Sequence, residues 1–461
     1  MMENAVVALA PPLDQATVTE HAVAALEPFL EELVGGLEPL ATTVPQAGRP
    51  RILPSVCLWA GALVCLLRGA GTQSAVWRLL TRTRLWSYPR FALSDQAIFR
   101  RLDREAQGKP GLPTPLERLF GQVCQLLRPR LAPYVDQTLA PFATEVLAVD
   151  ETTLDQVARK LPSLRSLPAG ANGRFPGKLT ALFDVRRQLW YWLRHVPYVH
   201  QNEKADLPPV LEHLQAGMLL VCDLGYFSFA WFDALTARQI WWVSRLRKGT
   251  SYSVLHVFYQ EGDTLDALIQ LGKYRADRCQ HLVRLVSFRI DATEYHYLTN
   301  QTDPLRFPLH EIARVYQRRW DIELAFALVK QHLKLHFLWS SKTHVLLAQV
   351  WGVLLISQVL QALRVQIAAE AEVELFEVSL ALLIDYVPQY LAEGRDPIQA
   401  FVADGRRLGF IRPSRRTENR APRIPLTALI PAPPDLGGER VPRNAHRKTG
   451  ARPRTTASTL H

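Results

Sequence analysis

Residues 312–337 read IARVYQRRWDIELAFALVKQHLKLHF, and this stretch decides how the rest of the chain is interpreted. It contains no Gly or Pro, so it predicts one uninterrupted helix. Four polar residues fall within about 60° of one another around its axis: Tyr316, Arg319, Glu323 and Lys330. An apolar stripe lies about a quarter turn away, formed by Val315, Ile322, Phe326, Val329 and Leu333. The helix is either the edge of an active site or an amphipathic helix with a solvated polar face.

The composition is that of a globular protein with a basic C-terminal end. Of its 461 residues, 48% are hydrophobic and 21% are charged, so the chain can bury a large core in roughly two to four domains. Its net charge is +11, and residues 405–461 carry +10 of it, with 13 Lys and Arg against 3 Asp and Glu. We expect this tail to be disordered and to lie against a polyanion. Nucleic acid is the first choice, and an acidic membrane surface or simple solubility are the alternatives.

Cysteine usage and apolar segments predict a cytoplasmic protein without a membrane span. The five cysteines show neither CxxC spacing nor the density of a disulfide scaffold, so we expect reduced thiols. The first twenty residues lack the basic start and long apolar core of a signal peptide. The charge-free stretch 345–363 contains three glutamines and a serine, and we interpret it as a buried core helix.

The chain from residue 22 to about residue 141 has helical periodicity throughout. Ser94 is placed to cap a helix that begins at Asp95 and carries Arg100 and Arg101. A short basic helix of this kind could enter a DNA groove, and the alternative is an ordinary surface helix.

After Glu145 the pattern changes to short apolar runs. The order is three strands, a helix, a strand, a helix and a strand, up to IWWVSRLR at 240–247. The first strand is expected to end at Asp150, and the fourth, MLLVC at 218–222, ends at Asp223. Carboxylates at strand ends lie where open α/β sheets bind ligands. Between Lys248 and Asn300, runs rich in Val, Tyr, Phe and Ile suggest a β-rich insertion.

Three carboxylates stand out by their positions: Asp150, Asp223 and Glu323. Oxygen ligands of this kind suit a pair of Mg²⁺ ions, which can activate a hydroxyl and stabilise the leaving oxygen of a phosphodiester. Acids at strand ends are common, so position alone does not show that the three act together.

The order of four motifs resembles one family, the DDE transposases of bacterial insertion sequences, in the insertion-sequence-four group with its Tyr-Arg-Glu-Lys signature. The four polar residues of the opening stretch fit the signature spacing of three, four and seven. The segment Asp150-Glu151-Thr152 is similar to the group's Asp-x-Thr motif, and Asp223-Leu224-Gly225-Tyr226 to its Asp-x-Gly-aromatic motif. Trp242-Val243-Ser244-Arg245 resembles the strand that follows. The resemblance covers about residues 90–365.

The resemblance implies an α/β fold, with a ribonuclease-H-like mixed-sheet catalytic core interrupted by a β-rich insertion. The helical periodicity before residue 141 adds an α-helical N-terminal domain to this prediction. It implies that Asp150, Asp223 and Glu323 bind two Mg²⁺ ions, for which Mn²⁺ can substitute. The enzyme would cut at terminal inverted repeats and join the freed 3′-hydroxyl to target DNA, working as a homodimer in the bacterial cytoplasm. Tyr316, Arg319 and Lys330 would hold the DNA end, since Arg, Lys and Tyr can all donate to phosphate.

The same resemblance suggests a further DNA contact from Arg245, and the basic helix described above suggests DNA contacts from Arg100 and Arg101. Some members form a DNA hairpin and stack a flipped base on an aromatic residue of the insertion, where this chain offers Tyr295 and Tyr297. For these two, the alternative is an ordinary strand residue. There are two alternative functions. The protein could be an inactive or domesticated DNA-binding relative, or it could be a nuclease of the same fold that does not join strands.

These observations predict five segments. Residues 1–141 form a helical region that binds DNA ends, 142–248 and 304–400 form the two parts of the catalytic core, and 249–303 form the β-rich insertion. Residues 401–461 form the basic tail.

Overall fold

The computed structural model describes residues 52–436, apart from residues 68–69, 83–84, 86–88, 109–111, 160, 169–176, 201–206, 276, 333–337, 394, 415 and 417–418. The predictions for the first 51 residues, for tail residues 437–461 and for the end of the 312–337 stretch therefore lie outside the described residues.

The described residues form a mixed α/β fold, as predicted. Helices occupy Ser55–Leu67 (α1), Gln73–Arg82 (α2), Asp95–Gln107 (α3), Pro115–Arg130 (α4), Asp155–Ala158 (α5), Pro162–Arg165 (α6), Leu207–Glu212 (α7), Phe229–Ala237 (α8), Leu309–Gln317 (α9), Trp320–Ala327 (α10), Thr343–Glu370 (α11), Leu380–Ala392 (α12) and Pro397–Gly405 (α13). Strands occupy Val146–Thr153 (β1), Lys178–Asp184 (β2), Leu189–Val196 (β3), Leu219–Cys222 (β4), Trp241–Arg245 (β5), Tyr252–Glu261 (β6), Thr264–Leu271 (β7), Val283–Ile290 (β8) and Thr293–Thr299 (β9).

The chain divides into two compact units. The first unit comprises residues 1–136, 150–202 and 320–417, and the second comprises residues 137–149, 203–319 and 418–461. The N-terminal helices thus belong to the same unit as the helices that follow residue 320.

The first unit has a helical core around α11. This helix packs against α1, α3 and α4. Its approach to α1 is close at Gly352, where an added Cβ would lie 2.4 Å from a methyl group of Leu66. Helix α11 is long and apolar enough to cross a membrane, but 94% of its most apolar window is buried inside the protein. The prediction of a core helix over 345–363 is therefore confirmed.

Helix α3 shows why local signals were reliable in this unit. The Ser94 side chain accepts a hydrogen bond from the Ala97 backbone N–H at 3.3 Å, which confirms the predicted cap. Ile98, Leu102 and Ala106 are buried at helical spacing on one side of the helix.

Strand pairing follows a separate order in each unit. In the first unit the order is β3-β2-β1, with β2 and β3 antiparallel. In the second unit it is β1-β4-β5-β9-β8-β7-β6, in which β1, β4 and β5 are parallel and the remaining pairs are antiparallel. The second unit therefore contains a large mixed sheet. The five strands predicted up to residue 247 are observed in the predicted order, but the two short helices α5 and α6 lie between β1 and β2, where the sequence predicted only a loop or hairpin.

Two buried side chains in the second unit join the strands of the 249–303 segment to the start of α9. The Arg284 guanidinium forms a bidentate ion pair with Asp266, and both side chains are at most 1% exposed. Its Nη1 donates to the Phe307 carbonyl at 2.6 Å, just before α9 begins. Because every one of these groups is buried, the pair fixes where the chain leaves the sheet.

The prediction of one uninterrupted helix over 312–337 is wrong. Helix α9 ends at Gln317, α10 begins at Trp320, and a π-helix follows over Leu328–His332. At the break, the backbone N–H of Arg319 bonds to the Tyr316 carbonyl three residues back, at 3.0 Å. The sequence has no Gly or Pro there, so the break comes from tertiary packing, which buries Arg319 and Asp321. The four signature residues therefore do not lie on one helix, and the predicted angles between them do not apply. They are Tyr316, Arg319, Glu323 and Lys330.

The prediction of a disordered tail from residue 401 also needs correction. Residues 401–405 are the end of α13. Further along, Asn419 donates to the His310 carbonyl at 2.7 Å, and the Ile430 backbone N–H donates to the Phe258 carbonyl at 2.8 Å. Pairing of Ile430 with β6 covers part of an edge strand, a role that a purely charge-based reading of the tail misses.

Candidate active site

The register of β1 and β4 places the first two predicted acids. These parallel strands pair from Val146 with Leu219 to Val149 with Cys222. Asp150 and Asp223 are the next residues after this last pair, and each side chain is half-buried. Strand β4 ends before Asp223 as predicted, whereas β1 continues three residues beyond Asp150. The expected strand end at Asp150 is thus wrong, and Asp150 instead marks where the pairing of β1 with β4 ends.

The structure distinguishes the two neighbouring acids of the Asp-Glu-Thr motif. Glu151 accepts hydrogen bonds from the Lys178 ammonium at 2.5 Å and from the Thr180 hydroxyl at 3.0 Å. Successive strand residues point to opposite faces, so Asp150 and Thr152 share the other face of β1. Asp150 Oδ1 accepts a hydrogen bond of 2.8 Å from the Glu151 backbone N–H. The two acids of the motif thus lie on opposite faces of β1, and the catalytic role of Asp150 stays a prediction.

Lys330 lies on the same face of β1 as Asp150, within the first unit. It belongs to the π-helix, and its ammonium donates a hydrogen bond to the Thr152 hydroxyl. Burial lowers the pKa of Lys330, and the negative charge of Asp150 opposes that shift. A cation is thus held beside the first predicted ligand.

Tyr316 supports the second acid in the second unit. Its hydroxyl donates to Asp223 Oδ1 at 3.5 Å, and its ring packs on the Tyr297 ring with centroids 4.7 Å apart. The Arg319 guanidinium lies 5.9 Å from the Tyr316 ring centroid. Burial raises the pKa of Tyr316, so the hydroxyl stays protonated and acts as a donor. Tyr316 and Arg319 are each only 5% exposed.

Glu323 lies on α10 in the first unit, where its side chain is half-buried. The neighbouring Asp321 is buried and accepts a hydrogen bond from Gln188 Nε2 at 2.7 Å. Asp321 is therefore used inside the fold, and Glu323 is the acid of this helix that remains partly accessible.

The predicted DNA contacts divide into accessible and enclosed residues. Arg245, at the end of β5, and Arg100, on α3, are exposed. Arg101 forms an ion pair with Glu105 and donates to the Ser55 hydroxyl at 3.0 Å, so its predicted place in a DNA groove is not supported. The local reason is the i, i+4 spacing of Arg101 and Glu105.

The two predicted base-stacking tyrosines also differ. Tyr297 is 6% exposed, and its ring packs between the rings of Tyr316 and Phe288, so it offers no face to a base in this conformation. Tyr295 is half-buried and stacks on Phe288 with centroids 5.3 Å apart. Only Tyr295 remains a candidate.

The donor chemistry suits a hard divalent cation, since carboxylate oxygens are the ligands that Mg²⁺ prefers. Within the described residues, no three His, Cys, Asp or Glu side chains already converge as a preformed metal centre. The metal assignment of Asp150, Asp223 and Glu323 stays a prediction.

Sequence reasoning missed two features of this region. Trp320, directly after Arg319, is 54% exposed, and Leu324, one turn later on α10, is 58% exposed. Their i, i+4 spacing could have signalled a shared apolar face. The second feature is the ion pair between Glu151 and Lys178. Lys178 begins a buried strand, and a buried lysine is expected to pair with an acid.

The part of the chain that carries these acids is similar to known proteins. Residues 141–358 match the family model described as Transposase DDE domain. This match covers just under half of the chain and includes the three predicted acids.

Two relatives narrow the class. Transposase InsG for insertion sequence element IS4, of Escherichia coli strain K12, is 30% identical over 163 residues, which are 34% of this chain and 36% of InsG. Putative transposase y4zB of Sinorhizobium fredii strain NBRC 101917 / NGR234 is 29% identical over 130 residues, which are 26% of this chain and 36% of that protein. The matched part thus spans about a third of each relative. These similarities confirm the resemblance to DDE transposases of the IS4 type that was drawn from the four motifs.

A solved structure is also similar over most of its length. The piggyBac transposase, in the cryo-EM structure of its synaptic complex with hairpin DNA, aligns with a TM-score of 0.39 and 9% identity. The alignment covers 88% of this chain and 87% of that one.

Proposed function

We propose that this protein is a cut-and-paste DNA transposase, which cleaves at terminal inverted repeats and joins the freed 3′-hydroxyl to target DNA. The observation that carries the proposal is the strand register. Asp150 and Asp223 follow the same residue pair of two parallel strands, and each lies in its own motif within the DDE domain. The strand orders β3-β2-β1 and β1-β4-β5 support a ribonuclease-H-like core.

Asp150, Asp223 and Glu323 would hold two Mg²⁺ ions, or Mn²⁺ in their place. When bound, such a pair activates the attacking hydroxyl and stabilises the leaving oxygen of the phosphodiester. Lys330 supplies positive charge beside Asp150, and the Tyr316 hydroxyl donates to Asp223. Both groups help to orient these carboxylates for their ligand role.

DNA would be bound by cations that the fold leaves accessible. Arg245 and Arg100 are exposed and can donate to phosphate oxygens. Lys330 and Arg319 would reach the DNA end after local rearrangement, and Tyr295 would offer a ring to an unpaired base. We further propose a homodimer on paired ends, acting in the bacterial cytoplasm.

The test is Glu323→Gln, which keeps the size of the side chain and removes its charge. We expect cleavage and strand transfer to fall at least about 1,000-fold, as for loss of an essential transition-state group, while affinity for an end-containing duplex is unchanged. Calorimetric titration with Mg²⁺ in the presence of DNA gives a second readout, in which the variant should bind less metal.

A matched control is Glu311→Gln on α9, since that carboxylate pairs with Arg314 3.3 Å away. It should cleave like the wild type. Cleavage by Glu323→Gln at the wild-type rate would show that Glu323 is not a catalytic ligand. A precut end separates the alternatives: a nuclease of the same fold would cleave but not join, and a DNA-binding relative would do neither.

A further inference from the structure

The helix that carries Glu323 cannot orient itself. Helix α10 has eight residues. The helical conformation is interrupted before it, between Gln317 and Trp320, and a π-helix follows it from Leu328. A helix of about two turns with irregular ends takes its rotation from tertiary contacts and not from its neighbours in sequence. The contacts on its buried side therefore decide where Glu323 points.

One of these contacts is electrostatic and comes from the turn between β2 and β3. Asp321 is 1% exposed, and it accepts a hydrogen bond from Gln188 Nε2 at 2.7 Å. Gln188 also donates to the Val185 carbonyl at 2.8 Å, and its backbone has a positive φ of 58°. The amide is thus locked in the turn and fixes one oxygen of the carboxylate.

The other oxygen of Asp321 is bound by Arg416, almost one hundred positions later in the chain. The Arg416 guanidinium forms an ion pair with Asp321 Oδ1 and lies 3.8 Å from the centroid of the Phe376 ring. The side chain of Asp321 is fully buried, and that of Arg416 is 26% exposed. A charge on Asp321 is tolerated there because this guanidinium compensates it.

The segment before Arg416 is itself docked. The Ser379 backbone N–H donates to the Phe410 carbonyl at 2.8 Å, and the Arg412 N–H donates to the Glu377 carbonyl at 3.1 Å. Val378 and Ile411 form an antiparallel bridge. Residues 410–412, which precede Arg416, are therefore held by backbone contacts within the first unit.

We propose that Arg416 is a positioning residue for the catalytic acid Glu323, acting through Asp321. Residues two apart on a helix lie on different faces, so fixing Asp321 on the buried face sets the rotation that presents Glu323 on the other. The C-terminal segment thereby takes part in the active site without touching DNA or metal. The inference rests on the proposed function of Glu323.

The experiment compares three variants of the full chain with the wild type in Mg²⁺-dependent cleavage of an end-containing duplex. Arg416→Gln should lower kcat about 10- to 100-fold, the range expected for misplacing a catalytic group by about 1 Å. The Kd for DNA should stay within about twofold. The double variant D321N/R416Q removes both charges and keeps amide donors and acceptors, so it should recover most of kcat.

Arg395→Gln is the matched control. Arg395 also pairs with an acid, Asp404 at 3.1 Å, and lies 4.6 Å from the centroid of the Tyr390 ring, but it is exposed. It should retain wild-type kcat. Thermal unfolding of each variant identifies a temperature at which all of them are folded. If Arg416→Gln does not fold, the kcat of the double variant D321N/R416Q is compared with that of Glu323→Gln instead.

The outcomes separate the two ideas. A kcat for Arg416→Gln equal to that of Arg395→Gln, or a D321N/R416Q variant as slow as Glu323→Gln, would overturn the positioning role while leaving the proposed function intact. A wild-type protein that does not cleave at all, in Mg²⁺ or Mn²⁺, would overturn the proposed function and with it this inference.

Discussion

Adjacent acids in the first motif should respond to the same amide substitution in opposite ways. Asp150→Asn should abolish cleavage. Glu151→Gln should destabilise the protein and leave the chemistry of the folded enzyme intact. The structural reason is that Glu151 is paired with a lysine inside the fold, whereas Asp150 lies on the opposite face of β1 beside Lys330.

The magnitude follows from burial. The side chains of Lys178 and Glu151 are 5% and 10% exposed, so solvent screens their interaction little. Removing one partner of a buried ion pair costs about 3–5 kcal/mol, and we expect about 3 kcal/mol because the glutamine can still accept from Thr180. With a urea m-value of about 3 kcal/mol/M, the unfolding midpoint should fall by about 1 M.

The assay pairs urea unfolding with cleavage of a labelled DNA end. Cleavage is measured in buffer without urea, at a temperature where both variants are folded. Asp150→Asn should lose at least about 1,000-fold in kcat. The reasoning is refuted if Glu151→Gln loses cleavage to that extent with an unchanged unfolding midpoint, because Glu151 would then be the reacting acid. A stable Glu151→Gln variant with normal cleavage would refute the burial argument alone.

Three further predictions concern Tyr316, Asp103 and the C-terminal residues. Tyr316→Phe should raise the Mg²⁺ concentration for half-maximal cleavage about tenfold with DNA affinity unchanged, since it removes a donor to a charged acid; a fall in DNA affinity instead would place the hydroxyl on DNA. Hydrogen bonds from Lys342 and His344 hold the pKa of Asp103 below its ordinary value, so its contribution to stability is present above about pH 4 and is lost as pH falls through the lower folded-state pKa. Asp103→Asn should therefore flatten the acid limb of a plot of unfolding free energy against pH, and an unchanged limb contradicts the assignment. Deleting residues 437–461 should reduce the salt dependence of DNA binding, whereas identical slopes of log K against log salt would exclude a DNA contact by this segment.

The strand succession could be predicted because its signal is local. Runs such as Val146–Val149 and Leu219–Cys222 are fully buried, and buried strands are uniformly apolar whatever packs on them. The Ser94 cap and the core helix α11 were predictable for the same reason. A cap involves only four consecutive residues, and a long helical stretch without charges is expected to be buried.

The break between Gln317 and Trp320 could not be predicted, because no residue there disfavours a helix. The ordered contacts of Asn419 and Ile430 could not be predicted either, since composition reports average polarity and not specific partners. For the site, motif spacing identified the acids, but only the fold could separate Asp150 from Glu151 or place Arg101 against Ser55.

The amino-acid sequence by itself determined the identity and order of the candidate reacting groups. Asp150, Asp223 and Glu323, with Tyr316, Arg319 and Lys330, are recognisable because the spacing of a motif is a property of the covalent chain. The tertiary structure decided which of these groups are buried, which helix is short, and which distant residue holds it. Asp321 and Arg416 meet only after folding, and the free energy of compensating a buried charge depends on that meeting and not on any local pattern.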